Sequence, residues 1–89
     1  MRSETMLIAL DKQINAELYS SFLYLAMAAD FESKSLTGFA HWMTEQAKEE
    51  YGHAMKIYGY IHDQMGRVTL QAIDAPPGEW DNEIGRAHV

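Results

Sequence analysis

Hydrophobic and polar residues alternate along two long stretches of the chain with the period of an α-helix. The first stretch extends from about residue 4 to residue 31 and contains neither proline nor glycine. With Glu17 at zero and a rotation of about 100° per residue, one side carries Leu7, Leu10, Ile14, Ser21, Tyr24, Leu25, Ala28 and Phe31. The pattern therefore predicts one long helix with a single apolar face, and Glu17 lies within that face.

The second stretch extends from about residue 36 to residue 65. With Glu50 at zero, one side carries Leu36, Phe39, Ala40, Met43, Gln46, Ala47, His53, Ala54, Ile57, Ile61 and Met65. This pattern predicts a second amphipathic helix, for which Gly66 is the stop signal. The connection between the helices is short and polar, which makes them antiparallel neighbours, and Ser33 or Ser35 is a candidate cap for the second helix.

The remaining residues, 67–89, contain a Pro-Pro-Gly turn and no sustained period. We therefore expect residues 1–66 to form an all-α, antiparallel two-helix hairpin, with a helix at about 4–31 and another at about 36–65. Residues 67–89 are expected to form a C-terminal arm.

Counting along the helices places three polar side chains at one height. If the turn is centred near residue 33 or 34, Glu17 lies about 16 residues before it and Glu50 about 16 after, or about 25 Å along each helix. His53 lies one turn beyond Glu50 on nearly the same side. Each residue alone is more easily explained as an edge carboxylate or an ordinary core histidine. The coincidence of three favours a divalent metal ion, which offsets the cost of burying carboxylates and accepts both oxygen and nitrogen ligands.

Composition narrows the chemistry further. Asp and Glu number 13 against 7 Lys and Arg, and a formal charge of −6 disfavours nucleic acids and anionic membranes as partners. The chain has no cysteine, so disulfides, thiolate zinc sites and iron–sulfur clusters are excluded. The N-terminus has neither a signal-peptide nor a membrane-span pattern. We expect a cytoplasmic protein with no nucleic-acid partner and no membrane partner.

The spacing Glu50-x-x-His53 is a weak motif alone, but it is stronger when a neighbouring helix adds Glu17. Di-iron and di-manganese carboxylate four-helix bundles use two such halves, and this chain holds one. The stretches QINAELYSSFLYLAMAADFE and GFAHWMTEQAKEEYGHAMKIYGYI resemble the first two helices of bacterial non-haem ferritins. The stretch GRVTLQAIDAPPGEW resembles the start of their long crossover loop, so residues 67–89 are either a remnant of that loop or a C-terminal arm.

The resemblance covers about residues 6–80 and implies roles for individual side chains. It implies iron ligation by Glu17, Glu50 and His53, an additional acidic residue, Glu49, at or near the centre, and a tyrosine, Tyr24, beside it. The implied activity is that of a ferroxidase-type oxidoreductase, in which Glu17, Glu50, His53 and Tyr24 form the catalytic set. The third and fourth helices of a ferritin subunit have no counterpart here.

The three candidate ligands and the two helices are each half of what a di-iron four-helix bundle contains, and this predicts a homodimer. A second copy related by a two-fold axis would cover the inner apolar face, rebuild a four-helix bundle and supply a second trio of ligands. Bacterioferritins also have Glu-x-x-His in both halves, but they bind haem through a methionine where this chain has Tyr51, so no haem is expected. The expected function is oxidation of Fe(II) by dioxygen at a di-iron centre completed across the homodimer. Higher oligomers, iron storage and detoxification are further options, and the alternative is a non-catalytic ferritin remnant serving as a dimeric helical or metal-binding module.

A second apolar patch lies on the first helix, opposite Glu17. It consists of Tyr19, Phe22, Leu23 and Ala26. A patch of this size is usually covered. Either another subunit meets it, or the arm folds back over it with Val68, Leu70, Ile73 and Trp80.

Overall fold

The computed structural model describes residues 3–79 of the chain. Two helices, α1 (Glu4–Ser33) and α2 (Thr37–Asp63), pack against each other as an antiparallel hairpin, and no strand occurs in this range. The predicted all-α hairpin is confirmed. Neither helix, within the range described, is long and apolar enough to cross a membrane. Trp80 and the closing stretch DNEIGRAHV lie outside the described residues.

The seam between the helices is built from buried residues at seven-residue intervals. They are Ile14, Ser21 and Ala28 on α1, and Ala40, Ala47, Ala54 and Ile61 on α2. A seven-residue repeat keeps one stripe of each helix facing the other, as in a coiled coil. Because most of these side chains are small, the two backbones approach closely.

One hydrogen bond reports the register of the two helices. The hydroxyl of Ser21 donates to the backbone carbonyl oxygen of Ala47 over 2.8 Å, and both groups are buried. These two residues are equidistant in sequence from residue 34, so the turn is centred there. The hydrophobic core is concentrated at the open end of the hairpin, where Ile14, Ala54 and Ile61 pack with Val68 from the segment after α2.

Both helices end in the same kind of turn, but not at the residue expected. The residues in the left-handed region are Ser35, with φ of 63°, and Met65, with φ of 64°. The amide of Gly66 donates to the carbonyl of Ile61 over 2.9 Å and the amide of Met65 to that of His62 over 3.0 Å, the two bonds of a Schellman motif. Gly66 is therefore not the left-handed residue that ends α2. The absence of a side chain at Gly66 instead matters for packing against α1.

Gly66 permits a close approach between the end of α2 and the start of α1. A Cβ atom at this position would lie 2.8 Å from Cδ2 of Leu7 and 3.1 Å from Cγ2 of Ile61. The candidate serine caps of α2 are also wrong, because its N-cap is Leu36, with no side-chain hydrogen bond. The hydroxyl of Ser33 instead donates to the carbonyl of Asp30 over 2.7 Å.

The segment after α2 turns back along α1. The amide of Thr69 donates to Oδ1 of Asp11 over 3.2 Å, and Nδ2 of Asn15 donates to the carbonyl of Ala72 over 3.0 Å. Beyond these bonds, Ile73 reaches the level of Leu18, where the two line a small cavity. The second apolar patch lies farther along α1, and its Phe22 is 43% exposed, so the described part of the arm leaves that ring in solvent.

Candidate metal centre

Glu17, Glu50 and His53 converge at the middle of the hairpin. Each offers one ligand atom, and these atoms all lie within 4.8 Å of one another. Nδ1 of His53 is 3.6 Å from Oε1 of Glu17 and 3.8 Å from Oε2 of Glu50. The three residues that counting placed at one height are therefore together in space, and they are the only such group of three or more among residues 3–79.

The helical repeat explains why the three side chains meet. Glu17 follows the buried Ile14 by three residues, and Glu50 precedes the buried Ala54 by four, so both carboxylates emerge beside the seam on the same side of the hairpin. The side chains of Glu17 and Glu50 are 18% and 23% exposed, whereas that of His53 is 53% exposed. The centre is thus a shallow site at the edge of the seam, open on one side.

The two carboxylates are in hydrogen-bonding contact and influence each other's ionisation. The hydrogen bond from Glu50 is the main cause that lowers the pKa of Glu17, and the same bond raises the pKa of Glu50. Burial and the negative charge of Glu17 raise the pKa of Glu50 further. The physical cause is that two carboxylates in contact are more stable when a proton lies between them. A bound cation would replace that proton.

Gln13 supports Glu17 and was missed by sequence reasoning. Its Nε2 donates to Oε2 of Glu17 over 2.8 Å, which leaves Oε1 directed at His53. This bond also contributes to the lowered pKa of Glu17. The spacing of Gln13 and Glu17 could have indicated this contact, because residues four apart are neighbours on a helix surface.

Two further residues were expected close to the centre, Glu49 at or near it and Tyr24 beside it. Glu49 is not one of the three residues that converge. Glu49 is exposed, and its charge acts on Glu50 from nearby, raising the pKa of that carboxyl. Tyr24 is half-buried two helical turns from Glu17. It donates no hydrogen bond to the three side chains in the part of the chain described.

The side of the hairpin that carries the centre is left uncovered by residues 3–79. Two large aromatic side chains lie on that side toward the ends of α2, with Phe39 55% exposed and Tyr60 40% exposed. The segment after α2 lies on the opposite side, where it contacts Asp11 and Asn15 of α1. The structure therefore combines three ligand residues with an open apolar face around them.

Comparisons with known proteins agree with this geometry. The family described as a ferritin-like domain matches residues 7–87. The chain is 44% identical over 84 residues to a bacterial non-heme ferritin of Bacteroides fragilis, covering 94% of this chain and 53% of the relative. A bacterial non-heme ferritin of Staphylococcus epidermidis is 43% identical over 82 residues, covering 92% of this chain and 49% of that one.

A solved structure is similar as well. The open pore ferritin of the hyperthermophilic archaeon Archaeoglobus fulgidus matches with a TM-score of 0.88 and 51% identity, over 91% of this chain and 50% of that one. The chain thus spans about half the length of the relatives it matches.

Proposed function

The chain belongs to the ferritin-like family, and from that premise we propose that it binds Fe(II) through Glu17, Glu50 and His53 and oxidises it with dioxygen. The observation that carries this proposal is the convergence of three ligand atoms, from both helices, within 4.8 Å. Carboxylate oxygen and imidazole nitrogen are ligands that divalent iron accepts. The contact between Glu17 and Glu50 also supports it, because it raises the pKa of Glu50 and a cation placed between the two carboxylates would relieve their mutual repulsion.

We further propose that a second copy of the hairpin completes the centre. Three ligands form half of the set found in di-iron four-helix bundles, and the face around them is open. Glu50 also lies at the midpoint of α2, with 13 residues on either side within Thr37–Asp63. A two-fold axis at that height lets two hairpins overlap along their whole length, so a single symmetry operation buries the open face and doubles the ligands.

The proposed chemistry is a balanced redox reaction. Iron supplies one-electron chemistry, and two Fe(II) ions together give two electrons, which with two protons reduce one dioxygen molecule to hydrogen peroxide. The residues of the chain would hold and orient the substrate: Glu50 would bind both ions, whereas Glu17 and His53 would each bind one. Gln13 fixes the carboxylate of Glu17 by its hydrogen bond.

Two further residues have supporting roles in the proposal. Glu49 is exposed beside Glu50 and would attract Fe(II) toward the centre. Tyr24 lies on the same side of α1 as Glu17, where it would donate a hydrogen bond or an electron. Iron storage and higher assembly would require contacts beyond this dimer, so we propose oxidation as the primary activity and removal of reactive Fe(II) as its use.

The test is aerobic oxidation of Fe(II) by the wild-type chain and by a Glu50→Ala, His53→Ala double variant. We expect the double variant to keep its helical circular-dichroism spectrum and lose oxidation above the buffer rate. The matched control is Glu45→Ala, His41→Ala, which removes the same residue types from exposed positions of α2 outside the converging group. We expect that control to oxidise Fe(II) as the wild type does.

Solution mass and bound metal per chain complete the test. We expect a dimer that binds one Fe(II) per chain. A wild-type chain that oxidises Fe(II) no faster than buffer would overturn the enzymatic proposal and leave a non-catalytic helical module. A monomer that binds no metal would overturn the metal centre as well.

A further inference from the structure

A second stripe of α2, beside the seam, carries four residues at seven-residue intervals. They are Phe39, Gln46, His53 and Tyr60. Phe39 is 55% exposed, Tyr60 40%, and the side chain of His53 53%. Because they recur every seven residues, these four side chains lie in a line on the side of the hairpin that residues 3–79 leave uncovered.

The order of residues in this stripe allows it to pair with a second copy of itself that runs in the opposite direction. Gln46 and His53 are equidistant from a point next to Glu50, and so are Phe39 and Tyr60. Two copies of α2 packed antiparallel about that point therefore bring Phe39 of one chain against the partner's Tyr60, at both ends of the contact. The same operation brings Gln46 against the partner's His53, near the centre. Aromatic pairs and an amide–imidazole pair are both favourable contacts in such an interface.

The two ring nitrogens of His53 have different surroundings. Nδ1 faces the carboxylates, at 3.6 Å from Glu17 and 3.8 Å from Glu50. Within residues 3–79, Nε2 has no acceptor, and the side-chain amide of Gln46, although half-buried, has no hydrogen-bond partner. A histidine that binds a metal through one nitrogen usually donates the other N–H to an acceptor, which fixes the ring's tautomer and orientation. Among the described residues, Nε2–H of His53 and Oε1 of Gln46 are therefore both available for a hydrogen bond with a second chain.

We propose that a second copy docks on this stripe with the two α2 helices antiparallel, and that Gln46 is a positioning residue in which Oε1 accepts a hydrogen bond from Nε2–H of the partner's His53. This inference rests on the proposed dimer. It adds the register of the two α2 helices and a residue, Gln46, that acts on the partner subunit. A two-fold axis parallel to the helices would instead place α1 of the partner opposite α2, and then Phe39 and the partner's Tyr60 would lie at opposite ends of the bundle.

Disulfide cross-linking tests the register without any metal. The chain has no cysteine, so Phe39→Cys chains mixed with Tyr60→Cys chains can form one kind of mixed disulfide, which requires Cα atoms closer than about 7 Å. We expect a mixed cross-linked dimer on mild oxidation and none from either variant alone. Within one α2 helix the two positions are about 32 Å apart, so each variant alone places its two thiols at opposite ends of the dimer. A dimeric mass without the mixed cross-link would overturn the antiparallel register.

The role of Gln46 is tested by a spectroscopic signature and a conservative rescue. In the metal-free dimer, nitrogen NMR of the imidazole is expected to show His53 as the Nε2–H tautomer, and Gln46→Leu should shift this signal. Gln46→Glu keeps an acceptor and should restore it. The affinity for Co²⁺, used as a probe ion, should fall about 10- to 100-fold in Gln46→Leu and not in Gln71→Leu, a control on the exposed arm.

The outcomes separate this inference from the proposed function. A mixed cross-link with an unchanged His53 signal and unchanged Co²⁺ affinity in Gln46→Leu would overturn the role of Gln46 alone. A mixed cross-link, a shifted signal and no oxidation of Fe(II) would uphold the inference and overturn the enzymatic proposal. A strictly monomeric chain would overturn this inference and the proposed dimer, whereas the oxidation assay decides the enzymatic proposal separately.

Discussion

Replacing each of three glycines by alanine should separate glycines that are needed for space from glycines that are not. At Gly66, a new Cβ atom would lie 2.8 Å from Cδ2 of Leu7, 3.1 Å from Cγ2 of Ile61 and 3.3 Å from the carbonyl oxygen of Ile61. At Gly52 and Gly59, in the interior of α2, nothing lies within 4 Å of the new atom.

The expected magnitudes follow from these distances. The end of the Leu7 side chain can rotate away, but Ile61 is fully buried and its carbonyl accepts the amide of Gly66, so part of the clash must remain. Overpacking costs about 1–3 kcal/mol, and alanine recovers about 0.4–1 kcal/mol by restricting the unfolded chain. We expect Gly66→Ala to destabilise the hairpin by about 1 kcal/mol. Gly52→Ala and Gly59→Ala should each stabilise it by about 1 kcal/mol, because alanine is the better helix former.

The assay is urea unfolding followed by far-ultraviolet circular dichroism, with all variants at one protein concentration because dimerisation adds to apparent stability. A shift of 1 kcal/mol corresponds to about 4–8 °C in Tm for a domain of this size, so thermal unfolding gives an independent reading. If Gly66→Ala were as stabilising as the other two variants, the close approach between the end of α2 and Leu7 would be refuted.

Three other changes test separate features. Met65→Gly should stabilise the chain by about 1 kcal/mol in urea unfolding, because Met65 has φ of 64° and a left-handed residue with a side chain is strained; an unchanged midpoint would contradict this. Ser21→Ala should cost about 1 kcal/mol in the same assay through loss of the buried bond to Ala47, whereas Ser20→Ala, nearby on α1, should cost less. Since contact with Glu17 raises the pKa of Glu50, protons should compete with Co²⁺ as pH falls through that raised pKa, and affinity should be highest above it. Replacing the Glu17 carboxylate by an amide in Glu17→Gln should move the loss of Co²⁺ affinity to lower pH, and the same midpoint in both proteins would contradict the influence of Glu17 on the pKa of Glu50.

Counting along the helices predicted the register of the hairpin and the convergence of Glu17, Glu50 and His53, because helix geometry fixes both. A turn centred near residue 33 or 34 placed Glu17 and Glu50 at one height, and the bond between Ser21 and Ala47 reports a centre at residue 34. Each helical residue advances about 1.5 Å whatever its neighbours are, so heights and faces could be deduced from spacing alone.

The helix ends and the arm depend on tertiary contacts, which spacing does not encode. Glycine is favoured in the left-handed region, yet Met65 occupies it, while the glycine that follows lies close to Leu7. The segment after α2 is held against α1 by hydrogen bonds to Asp11 and Asn15. These two residues are more than 50 positions away from it in the sequence. Tyr24 shares a face with Glu17 at a distance of two helical turns, and its place beside the centre stays a prediction.

The alanines of the seam have a consequence for which ions the chain can select. The carboxylates of Glu17 and Glu50 come from different helices, so the gap between the helix axes sets how far apart their oxygens can stand. Ala47 and Ala54 are 2% and 1% exposed, so larger side chains at these positions would push the helices apart. We therefore expect graded enlargement of these two alanines to move the two carboxylates apart and to shift the preference of the proposed site toward larger divalent ions.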